Sequence, residues 1–197
     1  MIEYLLIVLG VLIFGFQHSG ISALRVKNRI IDRWGKAGYA RLFNATSIVG
    51  IAIPFIAMNY WDWIYFILDP SLIRPLLFSS GAVLIIIGLM VTLMASRVIS
   101  VSTVADMRTD RQAKLVTDGI YSRIRHPLYL ATILLLLGLA AVYPFDRVIV
   151  FSITLSAYVI IGAYFEERKL VIHYGQEYLD YRKQAGFMLP RIRSSQA

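Results

Sequence analysis

The chain has 197 residues, of which 58% are hydrophobic and only 16% carry a charge. A soluble domain of this size would have about 25% charged residues, so this chain has too little polar surface to cover itself in water. It contains no cysteine, which excludes disulfide scaffolds, thiolate-bound zinc, iron–sulfur clusters and cysteine nucleophiles. The composition therefore predicts an all-α, polytopic membrane protein.

Five apolar stretches predict five transmembrane helices. They run over residues 4–25, 42–61, 75–96, 128–145 and 148–165. Each has about 17 to 22 residues, which is close to the length that a helix needs to cross the hydrocarbon core. The connection between the fourth and fifth helices is so short that these two should form an antiparallel hairpin. The first stretch lacks a basic leader and a cleavage pattern, so we expect no removable signal peptide.

A net charge of +8 could indicate nucleic-acid binding, so the positions of the Lys and Arg residues along the chain have to be considered. Six Lys and Arg residues lie between the first two helices, six between the third and fourth, and six after the fifth. Only Arg74 and Arg147 lie on the opposite side. The positive-inside rule then puts the N-terminus outside and the C-terminus in the cytoplasm. The same distribution explains the basic character without a nucleic-acid partner.

The segment 114–129 has the strongest local signals. Asp118-Gly119 predicts a turn in which the glycine adopts positive φ. Pro127 is expected at the first position of helix four, with His126 as its N-cap, so the free amides of the first turn face the cytoplasm. With Arg125 beside them, these groups suit a carboxylate or a phosphate. The alternative is that the arginines here only anchor the chain at the membrane interface.

The sequence after helix five predicts an amphipathic C-terminal helix over 166–182. On a helical wheel, one narrow stripe holds Leu170, Tyr174, Tyr178 and Tyr181. Glu166 and Glu167 border this stripe where the helix leaves the bilayer, a costly place for two acids without cations or donors. The pair could hold a cationic ligand group, or could instead form a salt bridge with Arg123 or Arg125.

Polar residues at the inner ends of the first two helices are candidates for the path of a ligand that enters from the lipid. We single out His18, Ser19 and Asn44 as substrate-binding residues, with Gln17, Thr46 and Ser47 at comparable depth. The alternative for His18 is an interhelical hydrogen bond, with Asn44 as its candidate partner. A metal site is not expected, because the three histidines, His18, His126 and His173, lack ligand spacing.

These motifs together resemble a known group of membrane enzymes. The sequence Arg125-His126-Pro127 with Tyr129, then Glu166-Glu167, Leu170, Tyr174-Gly175, Tyr178, Tyr181 and Pro190, is similar to the C-terminal signature of the isoprenylcysteine carboxyl methyltransferase and phospholipid methyltransferase superfamily. The front half, with His18-Ser19, Tyr39 and Asn44, looks like small prokaryotic members, including the thiol S-methyltransferase and NnrU-like branches. The resemblance implies a location in the prokaryotic cytoplasmic membrane.

The resemblance also implies S-adenosyl-L-methionine as the methyl donor, bound on the cytoplasmic side. Its carboxylate would face His126, Arg125 and the amides after Pro127, and its ammonium would face Glu166 or Glu167. By analogy Tyr129 would face the cofactor, and the adenosine would be lined by Leu115, Val116, Gly119, Ile120 and Tyr121. One departure is Ala131, since many relatives have glycine at this position.

For catalysis, we expect Glu167 to orient or deprotonate the methyl acceptor, with Arg168 as a partner for an acidic acceptor. The acceptor remains open among an isoprenylcysteine carboxylate, a phospholipid amine and a small thiol. We expect one membrane domain over 1–197, with residues 1–95 on the acceptor side and 96–197 binding the cofactor. Two alternatives are an NADPH-dependent sterol-type reductase and a non-catalytic membrane protein that retains the fold. The oligomeric state cannot be derived from the sequence.

Overall fold

The structure is a computed structural model that describes residues 1–98 and 114–191. These residues form helices and turns, and within them the only extended pairing is a single parallel bridge between Ile124 and Gly186. The all-α prediction is therefore confirmed. The helices are α1 (Ile2–Ser22), α2 (Leu24–Ile56), α3 (Tyr60–Leu68), α4 (Pro75–Ser96), α5 (Pro127–Val142), α6 (Asp146–Tyr174) and α7 (Gln176–Gln184), with short 3-10 turns at Pro70–Leu72 and Gly119–Ser122.

Four of these helices are long and apolar enough to cross a membrane: α1, α2 from Arg25 onward, α4 and α6. They make the chain an integral membrane protein. The fourth expected span corresponds to α5, which is apolar but has only 16 residues. At 1.5 Å per residue it is about 24 Å long, somewhat less than the hydrocarbon core.

Two expected connections are helical in the structure. The stretch between the first two predicted spans, residues 25–41, belongs to α2, which has 33 residues and a non-helical glycine at Gly35 (φ 69°). The stretch between the second and third predicted spans contains most of α3. Both stretches are rich in helix-forming or aromatic residues. Hydropathy predicts where an apolar span ends, but it does not show whether the helix continues beyond that point.

The C-terminal helix is also divided, which corrects the single helical wheel drawn for 166–182. Helix α6 ends at Tyr174, and α7 begins after Gly175, whose φ of 57° lies in the left-handed region. The glutamates therefore belong to α6, whereas Tyr178 and Tyr181 belong to α7. Of the basic residues counted for orientation, Arg108, Arg111 and Arg193 lie outside the described residues.

The chain divides into two compact units, the first made of residues 1–83 and 136–158. In this unit α1 runs antiparallel to the second half of α2: Gly10 contacts Pro54, and Phe14 contacts Gly50. Gly10 allows this close approach, since a Cβ there would lie 3.0 Å from the Pro54 ring. The core of the unit is formed by Ile7, Val11, Met58, Leu136, Val148 and Phe151.

The second unit contains residues 84–135 and those from 159 onward. Its core includes the buried side chains of Leu115, Tyr178, Tyr181 and Ala185. Helix α4 packs closely on α5 within this unit, since a Cβ on Gly88 would lie 3.2 Å from the Ala131 carbonyl oxygen. The segment around 114–129, the end of α6 and helix α7 all belong to this second unit.

Candidate functional site

The start of α5 lies where the sequence predicts it. Pro127 is the first helical residue, and the first intrahelical bond runs from the Leu130 amide to the His126 carbonyl over 3.1 Å. His126 therefore occupies the N-cap position. Gly119 adopts φ 59°, as the turn signal predicts. A side chain at this position would also meet Val98, since an added Cβ would lie 2.8 Å from the Cγ2 atom of that valine.

Glu167 is the centre of a buried network of donors. Its Oε1 atom accepts from the Arg125 Nε at 2.6 Å, from the Tyr178 hydroxyl at 2.9 Å and from the His126 Nε2 at 3.2 Å. The Arg182 Nε lies 3.4 Å from its Oε2. The salt bridge with Arg125 that the sequence left as an alternative is thus present. Glu167 is occupied by protein donors, which is the arrangement that a buried carboxylate requires.

A short segment that the sequence reasoning missed crosses this network. This segment, residues 185–187, is named here the C-terminal strap. The Arg125 amide donates to the Gly186 carbonyl at 2.8 Å, the His126 amide to the Phe187 carbonyl at 3.1 Å, and the Gly186 amide to the Arg123 carbonyl at 2.9 Å. The strap thereby fixes the backbone that carries the Arg-His pair. The available sequence signal was a glycine–aromatic pair shortly before Pro190.

Aromatic rings surround His126. The centroid of the Phe187 ring lies 4.9 Å from that of the imidazole and 4.7 Å from that of the Tyr164 ring. The Tyr129 ring meets the imidazole edge-on at 5.5 Å. The Arg125 guanidinium lies 5.8 Å from the centre of the Phe187 ring. Such rings offer faces for a cation or for a flat heterocycle.

The residues expected to line the adenosine are only partly available to a ligand. Leu115 is buried against Tyr178 and Tyr181, and the Tyr181 hydroxyl donates to the Tyr121 carbonyl at 2.6 Å. Burial, followed by the charge of Glu166, raises the pKa of Tyr121 to about 12, so its phenol stays protonated. Val116 and Ile120 are half-buried, and Gly119 is exposed.

Glu166 differs from its neighbour, because its Oε2 atom is buried and has no hydrogen-bond partner in 1–98 or 114–191. This oxygen lies 3.9 Å from the His126 Nδ1. Burial lowers the pKa of His126, against the opposing charges of Glu166 and Glu167, so the imidazole is neutral at pH 7. A carboxylate only accepts, so the proton of the imidazole is on Nε2 towards Glu167, and Nδ1 is an acceptor.

Two acceptors therefore face each other at the start of α5, the His126 Nδ1 and the Glu166 Oε2. A donor with a positive charge would satisfy both atoms, and an ammonium group is such a donor. The residues present thus fit the amino-acid end of S-adenosylmethionine. Of the two candidate acids, Glu166 is the one with an open acceptor.

The other expected site residues are not part of this cluster. Arg168 is exposed and makes no hydrogen bond within the part of the chain that the structure describes. In the first unit, His18 Nδ1 lies 3.0 Å from the Ser47 hydroxyl, so the interhelical hydrogen bond considered as the alternative is present, with Ser47 rather than Asn44 as its partner. Asn44 is exposed, one helical turn before Ser47. Ser19 bonds to the Tyr158 hydroxyl at 2.9 Å, and Gln17 donates to Thr46 at 2.6 Å.

Comparison with known proteins shows what the chain is similar to. Methanethiol S-methyltransferase of Pseudomonas deceptionensis is 26% identical over 199 residues, which cover 94% of this chain and 72% of the relative. The enzyme of the same name from Crocosphaera subtropica is 24% identical over 200 residues, covering 98% and 77%. Methanethiol S-methyltransferase 2 of Bradyrhizobium diazoefficiens is 32% identical over 76 residues, covering 39% and 29%. No solved structure matches the chain.

The sequence pattern of the phospholipid methyltransferase family matches residues 76–177. This range is more than half of the chain and includes Arg125, His126 and both glutamates. The resemblance to the isoprenylcysteine carboxyl methyltransferase and phospholipid methyltransferase superfamily is thereby confirmed. The chain belongs to the phospholipid methyltransferase family, and it is a membrane methyltransferase.

Proposed function

We propose that the protein transfers a methyl group from S-adenosylmethionine to a small thiol. The observation that carries the donor is the buried, unpartnered Glu166 Oε2 beside the His126 Nδ1, an arrangement that suits a cationic donor such as the ammonium of the cofactor. The observation that favours a thiol is the similarity to methanethiol S-methyltransferases over 94% and 98% of this chain.

The residues at the start of α5 have separate tasks in this proposal. Glu166 and His126 hold the ammonium group, and the Leu128 amide in the first turn of α5 faces the carboxylate. Burial keeps His126 neutral, and Glu167 orients its ring through the Nε2 bond. In this proposal Glu167 therefore positions His126 rather than orienting or deprotonating the acceptor. Phe187, Tyr164 and Tyr129 supply aromatic faces beside the cationic end of the ligand.

When bound, S-adenosylmethionine supplies an electrophilic methyl group on a positively charged sulfur. The carbon–sulfur bond of the donor breaks with its electron pair remaining on that sulfur, while a new bond forms between the methyl carbon and the acceptor sulfur. The proton of the thiol passes to solvent or to a protein base. The contribution of the protein is to exclude water and to align the reactants, which can supply several kcal/mol of the barrier.

Binding of the donor can be tested by titration calorimetry in detergent. We expect Glu166→Gln to weaken binding of S-adenosylmethionine and S-adenosylhomocysteine about tenfold or more, because a charge-assisted hydrogen bond to the ammonium is lost. 5′-Methylthioadenosine lacks the amino-acid end, so its binding should not change. Glu177→Gln removes an exposed charge nearby on α7 and is the matched control.

Three results would refute this assignment. Equal weakening of 5′-methylthioadenosine would mean that Glu166 acts through the general shape of the site. Binding of NADPH without S-adenosylmethionine would support the reductase alternative, and binding of neither would support a non-catalytic protein. The acceptor is tested separately, by measuring dimethyl sulfide formed from methanethiol and N-methylated lipid formed from phosphatidylethanolamine.

We also propose five spans, with α5 and α6 as an antiparallel hairpin and α7 as an amphipathic cytoplasmic helix. The apolar character of α5 and the location of most Lys and Arg residues in three segments support this topology. Because the chain has no cysteine, single cysteines at Ser71 and Ser122 can report the orientation. A membrane-impermeant maleimide should label Ser71→Cys in spheroplasts and spare Ser122→Cys.

A further inference from the structure

The first third of α2 is a separate amphipathic segment. At 1.5 Å per residue, the 33 residues of α2 extend about 50 Å, well beyond a hydrocarbon core of about 30 Å. Gly35 interrupts the helical backbone with a φ of 69°. Residues 24–34, named here the basic segment, therefore precede the part of α2 that crosses the membrane.

One face of the basic segment carries three arginines. Arg25, Arg29 and Arg33 follow each other at intervals of four residues, so they lie on the same side of the helix. All three are exposed, and no hydrogen bond or ion pair joins their guanidinium groups to a residue in 1–98 or 114–191. Together with Asn28 and Asp32 they line an open groove of about 560 Å³.

The other sides of the segment carry apolar and aromatic residues and one buried lysine, Lys27. Ile31 is buried at 5% exposure, whereas Trp34 and Val26 are 57% and 39% exposed. Tryptophan favours the boundary between headgroups and hydrocarbon. A short helix with a row of arginines, a buried apolar side and an exposed tryptophan is typical of a segment in the headgroup layer.

We propose that the basic segment is a binding site for the phosphate groups of anionic phospholipids. Arginine binds phosphate oxygens through two parallel hydrogen bonds, and three guanidinium groups on one face provide the complementary charge. An anionic headgroup is favoured over phosphatidylcholine because the latter carries a compensating ammonium. The residues of this site belong to the first unit, and none of them is used in the proposed methyl-donor site, so either proposal can fail without the other.

Trp34 provides a direct probe, because it ends the basic segment. In a Trp61→Phe, Trp63→Phe background it is the only tryptophan, since the chain has three. The protein is placed in nanodiscs that contain an equal, low fraction of brominated phosphatidylglycerol or brominated phosphatidylcholine. We expect the anionic lipid to quench Trp34 about twice as strongly, because each cation near the surface enriches anionic lipid.

The Arg25→Gln, Arg29→Gln, Arg33→Gln variant should remove this difference, and about 0.5 M salt should reduce it in the parent protein. The control Arg123→Gln, Lys169→Gln, Lys183→Gln removes the same charge from exposed residues of the second unit and should keep the difference. Helicity by circular dichroism checks folding, and the salt titration tests the proposal even if the triple variant does not fold.

Equal quenching by both lipids in the parent protein would overturn the proposed lipid site. Loss of the difference on adding inorganic phosphate at constant ionic strength would indicate a soluble phosphate ligand instead.

Discussion

The two compact units use their polar side chains in opposite ways. In the second unit, donors from the segment before α5 and from α7 converge on one carboxylate, Glu167. In the first unit, polar residues near the C-terminal end of α1 form separate pairs of uncharged residue types, such as His18 with Ser47 and Gln17 with Thr46. A network around one buried charge depends on every member, whereas neutral pairs can be lost one at a time.

The strongest test of this difference is Glu167→Ala. This substitution removes the ion-pair partner of the buried Arg125 side chain. We therefore expect a loss of about 3–5 kcal/mol in the free energy of unfolding. Denaturant titration in detergent measures the change. Glu177→Ala, at an exposed position on α7, should stay within about 0.5 kcal/mol of the parent protein. A cost below about 1 kcal/mol for Glu167→Ala would show that the network is not cooperative.

The contribution of the C-terminal strap can be measured with Gly186→Ala. A Cβ at this position would lie 1.8 Å from the Leu189 carbonyl oxygen, so the strap must move and its hydrogen bonds to the Arg123–His126 backbone weaken. We expect a loss of about 2 kcal/mol, comparable to one or two buried hydrogen bonds. Gly20→Ala on α1, where an added Cβ meets nothing within 4 Å, is the control and should not destabilise the protein. An unchanged thermal midpoint for Gly186→Ala would contradict this role of the strap.

The pH dependence of stability gives a smaller effect. Burial lowers the pKa of His126 below 6.5 in the folded state, so near and below that pH the unfolded chain binds more protons than the folded one. Stability contributed by neutral His126 is therefore present above pH 6.5 and is lost as the pH falls through the folded pKa. The free energy of unfolding should decrease as the pH is lowered from 7.5 to 5.5, and this decrease should be absent in His126→Gln. The same slope in both proteins would assign the effect to other groups.

The smallest effect is expected for the neutral pairs of the first unit. A double-mutant cycle with His18→Ala and Ser47→Ala should give a coupling energy of about 0.6 kcal/mol, the usual size for a hydrogen bond between membrane helices. A coupling energy above about 2 kcal/mol would place this pair in a larger network. The first unit would then contain a coupled polar network, as the second unit does.

Local signals predicted local structure well. Pro127 marks the start of α5 because its ring fixes φ and lacks the amide proton that the first helical turn cannot use. Gly119 marks a turn because only glycine adopts positive φ without cost. Gly175 also adopts positive φ, but the helical pattern of the sequence continues on both sides of it. The division between α6 and α7 was therefore missed. The strap was missed because its bonds join residues about 60 positions apart.

The sequence by itself determined that the chain is a helical membrane protein and that it carries the signature of a methyltransferase family. It could not distinguish Glu166 from Glu167, which are the same residue type at adjacent positions. Neighbouring residues on a helix point about 100° apart, so their surroundings depend on which other segments pack there. Only the tertiary structure, through Arg125, Tyr178 and the strap, decided that Glu167 is enclosed by donors while Glu166 keeps an open acceptor.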